Sequence, residues 1–317
     1  MKLKHIIFSL FSLIIIMMLG ISWLIGSYFV DFAFKRGNSH DPYALPSGSR
    51  AIISAKLPPH PKPNYKSESW QLRINQEKRV ATAFYTDKPT NKWVIIAHGY
   101  CRDQRYTWYY ADAYLQRGYH VLTPDLNASG KSDGKYLTMG VKESADIQAW
   151  SKKLAIEKAN SKIALHGISM GAATVMLAAQ KPLPKEVYAV IEDCGYTDAY
   201  NMFALKLEEF FSLPAFPILN IVNIVQKIKA GAYLSDAAPI TNISKVKLPI
   251  LFIHGDKDSL IPATMMNELY SACGSQAKQK VMIKNAGHAR SMATNPTLYF
   301  DTICEFLHKH EKGMSVQ

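Results

Sequence analysis

Short runs rich in β-branched and aromatic residues alternate with helix-length amphipathic segments over most of this chain, and that alternation limits its fold more than any other feature. The runs are Trp70 to Ile74, Val80 to Tyr85, Trp93 to Ala97, His120 to Thr123, Ile163 to His166, Val187 to Ile191, Ile250 to Ile253 and Lys280 to Ile283. Helical periodicity marks residues near 104–117, 140–158, 170–180, 262–272 and 296–310. The pattern predicts an α/β fold with a mostly parallel central sheet flanked by helices. The 317 residues, 48% of them hydrophobic, suffice for one large core, and no Gly-, Ser- or Pro-rich stretch divides them into comparable halves. One main domain is expected.

One connection is too long for a turn and a single helix. Between Cys194 and Leu248 stand Met202, Phe203, Leu205, Leu207, Phe210 and Phe211, then an apolar run from Phe216 to Val225, with Pro214 and Pro217 between them. Residues of about 197–240 are read as a helical cap over the carboxyl edge of the sheet, where open α/β sheets bind ligands. A helical insertion that merely packs on the core is the competing reading.

The amino-terminal segment has a different use. From Ile6 to Val30 there is no charged residue, and Lys2, Lys4 and His5 precede the run. A helix of that length reaches about 37 Å, enough for a hydrocarbon core of about 30 Å. A cleaved signal has a shorter apolar region and a small-x-small site, for which Gly20-Ile21-Ser22 is the one weak match. Residues 1–30 are therefore read as an uncleaved, single-pass transmembrane signal-anchor, and 31–67, rich in Pro, Gly, Ser and Lys, as a stalk or lead-in. Lys2, Lys4 and the amino terminus favour a cytoplasmic tail and an extracytoplasmic domain, against Lys35 and Arg36 beyond the span.

The formal net charge is +12, and setting aside Lys2 and Lys4 leaves +10 beyond the span. Such a surface is drawn to anionic headgroups or an anionic cell wall, although an ordinary basic soluble surface gives the same count. There is no basic block interleaved with aromatics and no zinc-finger spacing, so no nucleic-acid partner is expected. Cys101, Cys194, Cys273 and Cys304 are too widely spaced to suggest a zinc site or a dense disulfide framework.

The sharpest chemical signal is Gly167-Ile168-Ser169-Met170-Gly171, directly after the strand run that ends at His166 and directly before a helix that opens with Ala172 and Ala173. G-x-S-x-G in that context is a nucleophile elbow: the tight turn projects the serine above the sheet, and small residues let the chains pass. The helix behind it aims the Met170 backbone N–H at a developing oxyanion. A serine hydroxyl also needs a base and a carboxylate to orient that base. Gly255-Asp256-Lys257-Asp258 follows one later strand, and Gly287-His288 follows the next. Ser169, Asp258, His288 is the order acid-after-serine, histidine-last. Asp256 belongs to the turn, and Asp193, at the end of the strand after the elbow helix, is a further candidate acid. His98, His166 and His254 each precede a glycine at a strand end and are read as loop braces. Ser129-Gly130-Lys131-Ser132 ends like a phosphate-binding loop, but Asp125 stands where that motif needs its first glycine.

Taken together, His98-Gly99-Tyr100, Asp125 to Ser132, the elbow, Gly255-x-x-Asp258 and Gly287-His288 resemble the α/β-hydrolase superfamily, over residues 68–312. Within it the chain is similar to single-span bacterial hydrolases. The resemblance implies Asp258 as the acid and the backbone N–H of Tyr100 as the second oxyanion donor, paired with Met170. It also implies a departure: Asn127 and Ala128 stand where D-x-R-G-x-G-x-S has Arg and Gly. The reaction expected is carboxylic ester hydrolysis through an acyl-enzyme, with no metal or organic cofactor, on a small ester or lipid-like substrate suited to an apolar cap. A serine peptidase or acyl-peptide hydrolase on the same fold and a non-catalytic surface-binding protein are the alternatives. Prolyl-oligopeptidase-like enzymes add a large β-propeller for which residues 31–67 leave no room, and relatives that use an Asp nucleophile are disfavoured by Ser169. The oligomeric state is left open.

Overall fold

The computed structural model describes residues 2–37 and 61–311. Most of the lead-in, including Leu57 to His60, lies outside the described residues. Eight strands form one sheet in the order β1-β2-β4-β3-β5-β6-β7-β8. They are β1 (Lys66–Ile74), β2 (Glu77–Tyr85), β3 (Lys92–Ala97), β4 (His120–Asp125), β5 (Lys162–Ile168), β6 (Val187–Asp193), β7 (Ile250–Gly255) and β8 (Lys278–Ile283). β2 pairs antiparallel with β1 and β4, and every other neighbouring pair is parallel. The chain has the α/β-hydrolase fold, each strand lying where its run of β-forming residues predicts.

Burial explains the order. β5, β6 and β7 are buried from end to end apart from Lys162, as parallel strands covered on both faces must be, whereas β1 and β8, at the edges, carry exposed residues along their length. In β3 the side chains alternate: Trp93 and Ile95 enter one core, Val94 and Ile96 the other. The first core is closed by α3 (Val141–Glu157), α4 (Met170–Ala179) and α7 (Ala263–Ala272), the second by α2 (Trp108–Gln116) and α9 (Pro296–Glu311). A short α8 (Ser291–Thr294) leads into α9. α4 is small and wholly buried from Met170 to Ala178, so it can lie close under the sheet's carboxyl edge.

The long connection folds into α5 (Ala199–Phe211) and α6 (Ala215–Ala230), followed by three short 3-10 turns. Both readings of it hold in part. Met202, Leu207, Leu219, Val222 and Val225 join the first core, yet Lys206 on α5 donates to the Ser259 carbonyl (3.0 Å) on the loop after β7, which places α5 over the carboxyl edge.

The amino-terminal helix departs most from the sequence reading. α1 (Lys2–Phe34) is one continuous helix that runs past residue 30, and its last turns are docked on the domain. Val30 and Phe34 are fully buried in the first core, and Phe34 packs edge-on against Phe203 of α5. Leu3–Phe34 is long and apolar enough to cross a membrane.

Candidate active site

β5 ends, α4 begins, and Ser169 is the single residue between them, with φ 58° and ψ −118°. A non-glycine residue at positive φ is strained, and here the surroundings enforce it. A Cβ on Gly167 would stand 2.0 Å from the Gly171 carbonyl oxygen, and one on Gly171 would stand 2.1 Å from that of Ala97. Only hydrogens fit, so β5, α4 and the end of β3 pass at backbone contact and force the serine outward.

Loops from two neighbouring strands meet it. The Ser169 hydroxyl lies 2.8 Å from His288 Nε2, and His288 Nδ1 lies 2.7 Å from Asp258 Oδ2; all three residues are buried. Asp258 also accepts the backbone N–H groups of Leu260 (2.9 Å) and Ile261 (2.8 Å) at Oδ1. Burial opposes its charge, but His288, His254 and the Ile261 N–H outweigh burial and hold the carboxyl well below the ordinary range. An ionised carboxylate only accepts, so Nδ1 carries the imidazole proton and Nε2 faces the serine with its lone pair.

Asp193 is spent elsewhere. It accepts from the Ser291 hydroxyl (3.1 Å) and the Tyr299 hydroxyl (2.9 Å), and burial raises its pKa to about 6. Asp256 accepts from the Asn285 N–H at 2.6 Å, which ties the turn after β7 to the one after β8. His98 joins the Gly99 carbonyl to the Leu126 N–H, and His166 lies between the Tyr114 and Tyr299 hydroxyls, its pKa driven down to about 3 by burial. His254 does more than brace a loop. Its Nε2 approaches Asp258 Oδ2 at 3.3 Å and the Ile261 carbonyl at 2.9 Å. Burial disfavours its charge, but Asp258 and Glu192 prevail and its pKa rises.

The two backbone donors expected at the oxyanion flank the serine. Met170 is the first residue of α4, where N–H groups have no partner within the helix. A Cβ on Gly99 would lie 3.6 Å from Ser169 Cβ, so the loop that carries Tyr100 runs alongside. The Tyr100 side chain turns away and its hydroxyl donates to the Ala33 carbonyl of α1. The departing Asp125–Ser132 loop is held by its own side chains and neighbours, with the Lys131 N–H donating to Asp125 (2.8 Å) and the Ser132 hydroxyl to the Asp125 carbonyl (2.6 Å). Asn127 donates to the Tyr136 carbonyl (2.9 Å) and accepts from buried Arg79 (3.1 Å), and Ala128 takes φ 58°, a conformation easier for the glycine it replaces.

Donor atoms of Cys194, Asp258 and His288 lie within 4.8 Å of one another. A metal ion held there would occupy the atoms that join Asp258 to His288. Separately, a groove of about 680 Å³ opens among Glu68, Ser69, Thr82, Arg105, Trp108 and Lys131 on the β1–β2–β4 side. It shares no lining residue with the serine site and contains no imidazole.

A serine elbow, an imidazole and a carboxylate at the carboxyl ends of three parallel strands define a hydrolase of the α/β class. The chain belongs to the α/β-hydrolase superfamily: residues 53–217 match the X-Pro dipeptidyl-peptidase (S15 family) model and residues 155–290 the serine hydrolase (FSH1) model. It is 30% identical over 220 residues to the uncharacterized protein YqkD of Bacillus subtilis, covering 69% of this chain and 72% of YqkD. Among solved structures, the Pyrococcus furiosus esterase Pf2001 is 24% identical with a TM-score of 0.64, over 78% of this chain and 93% of that one. Est1E from Butyrivibrio proteoclasticus, solved with ferulic acid bound, is 20% identical (TM-score 0.60, 77% and 99% covered), and a Pyrococcus horikoshii acylaminoacyl peptidase 14% (0.61, 78% and 42%). At these identities the structures share the fold.

Proposed function

We propose that this hydrolase cleaves carboxylic esters through Ser169, His288 and Asp258. The observation that carries the reading is the relay from Ser169 Oγ through His288 to Asp258, at 2.8 and 2.7 Å. His288 Nε2 takes the hydroxyl proton as Ser169 Oγ bonds to the ester carbonyl carbon, and the Met170 and Tyr100 N–H groups receive the oxyanion. His288 then protonates the departing alcohol. Water, deprotonated by the same nitrogen, attacks the acyl-serine and releases the carboxylic acid and free Ser169. Asp258 holds the tautomer and balances the imidazolium.

A fluorophosphonate probe tests the nucleophile. It should label the native protein and not Ser169→Ala; folded native protein that stays unlabelled would sink the proposal. Nitrophenyl esters of rising chain length then measure the acyl preference. The match to the X-Pro dipeptidyl-peptidase model supports a second reading, peptide cleavage by the same three residues. Faster turnover of X-Pro or acyl-peptide amides than of esters would establish it in place of the first.

We further propose that α1 anchors the protein in a membrane with the catalytic domain outside the cytoplasm. Its apolar length supports the anchor, and Lys2 and Lys4 support the orientation. Protease added to intact cells should digest the domain; protection until lysis would reverse the topology.

A further inference from the structure

Large apolar side chains left exposed are concentrated on one part of this molecule. Among the described residues, all of them except Ile156 and Leu298 belong to α1 or to the insertion, where they are Leu205, Phe211, Phe216, Ile224, Ile228 and Tyr233. Single exposed apolar residues are ordinary on any protein; a concentration marks an interaction surface.

Burial divides α1 in two. From Leu3 to Ile21 every side chain except half-buried Ser12 is exposed, a free length of about 28 Å at 1.5 Å per residue, close to a hydrocarbon core of about 30 Å. Beyond it Gly26, Val30 and Phe34 are buried at steps of four, so one face lies against the insertion. α1 and α6 run in the same sense: Gly26 faces Ile221 and Val225, while Lys229 reaches the Ser27 carbonyl (3.5 Å) and Asp31 (2.8 Å). The regular part of α6 begins at Pro217, about 6 Å nearer the amino-terminal end of α1 than Ile221, and Phe216, whose backbone is extended (φ −91°, ψ 133°), adjoins it on the side where α1 leaves the domain. Trp23 and Tyr28 are exposed on α1 around that level, and both residue types favour the headgroup layer. Lys35, Arg36, Lys131 and Lys135 are exposed beyond the other end of the docked segment, where Arg36 bonds the Gly130 and Ser132 carbonyls. Glu208 and Glu209 are the acidic exceptions on α5, and Glu209 is paired with Lys206.

We infer that the tip of the insertion, from Phe211 to Phe216, and the Ile224–Ile228 edge of α6 seat in the headgroup layer of the leaflet from which α1 emerges, and that the site takes esters carried in that leaflet. This rests on the readings of α1 as an anchor and Ser169 as the nucleophile. The occupant is a bilayer because the exposed patch is continuous with a membrane-length helix packed against it. The same helix touches the reaction machinery through the Tyr100 hydroxyl on the Ala33 carbonyl, and α5 touches the acid loop through Lys206. Seating and site thus form one packed unit.

The full chain, reconstituted in vesicles of phosphatidylcholine and phosphatidylglycerol, tests this with a benzophenone amino acid placed singly at positions 13, 156, 216 and 228. Exposure in the protein is comparable at these positions: 62% for Leu13, 81% for Ile156, 75% for Phe216 and 63% for Ile228. Lipid adducts at 13, 216 and 228, with none at 156, are the expected result. Adducts at 13 alone overturn the seating while sparing the anchor; adducts at none of the four remove anchor and seating together. A second measurement addresses the substrate. Phe216→Asp with Ile228→Asp should lower turnover of a long-chain ester in vesicles roughly tenfold and that of a soluble acetate ester less than about twofold. An unchanged ratio between the two esters would overturn the leaflet-borne substrate, and fluorophosphonate labelling of the double variant shows independently whether Ser169 still reacts.

Discussion

The elbow and the insertion lie side by side at the carboxyl edge of the sheet, and they are held in opposite ways. Around Ser169 the chains meet at backbone contact and the acid is held from several sides: Asp258 accepts from Leu260, Ile261 and His288. The insertion and docked α1 are joined mostly by apolar surfaces, Gly26 on Val225 and Phe29 and Phe32 on Phe211, with Lys229–Asp31 at one end. The first construction places atoms to within a hydrogen bond. The second positions a surface and tolerates change. The sharpest way to break the contrast is at the acid. Asp258→Asn should lower kcat by about 10³- to 10⁴-fold, because an amide no longer enforces the imidazole tautomer. Asp193→Asn should change kcat far less, since Asp193 bonds Ser291 and Tyr299. Steady-state ester hydrolysis by the two variants decides; the reverse ranking would reassign the acid.

Two glycines carry the same comparison into stability. On Gly171 the nearest neighbours of an added Cβ are backbone atoms, Ala97 oxygen at 2.1 Å and carbonyl carbon at 2.6 Å, which have nowhere to go. Gly171→Ala should cost about 3 kcal/mol or more and remove labelling of Ser169, as read by denaturant unfolding and probe reaction on one sample. On Gly26 the neighbours are methyl groups, Val225 Cγ2 at 2.6 Å and Ile221 Cγ2 at 2.9 Å. Gly26→Leu should cost about 1–3 kcal/mol by lifting α1 from α6, with labelling of Ser169 retained. Equal loss of labelling in both variants would mean that the docked helix supports the serine as rigidly as the elbow does.

What was legible in the sequence follows the same division. The strands were readable because buried parallel strands such as Val187 to Ile191 are apolar throughout, and the elbow was readable because Gly167 and Gly171 are required by contacts of about 2 Å. Ser169, Asp258 and His288 could be ordered along the chain, since each follows a strand that the pattern marks. The contact of His254 with Asp258 was not readable, because a loop's curvature decides whether a residue four positions away turns back toward it. Nor was the docking of α1. An apolar helix that crosses lipid and one that packs on protein have the same composition, and only the burial at Gly26, Val30 and Phe34 separates the two uses within one helix. Ala128 in the left-handed region shows a third limit: nothing in an alanine announces a backbone conformation that glycine adopts more easily.

Tight packing at the carboxyl edge also has an electrostatic consequence that the apolar insertion does not share. Glu192, the residue before Asp193, is fully buried, and its Oε2 accepts the Gly195 N–H at 2.9 Å. Burial raises its pKa to about 8, against the pull of His254 and the Gly195 N–H, with Asp193 adding to the rise. The unfolded chain releases this proton near 4.5, so between about pH 4.5 and 8 the folded state holds a proton that the unfolded state has lost. Stability from this group is complete below that interval, declines as pH rises through it and levels off above about 8. Glu192→Gln keeps the shape and the Gly195 acceptor without the proton to lose. It should melt close to the native protein at pH 5 and above it at pH 8.5. Parallel melting curves for the two proteins across that range would show that Glu192 ionises in the folded state as readily as in the unfolded one, and that the burial at this edge is less complete than its packing indicates.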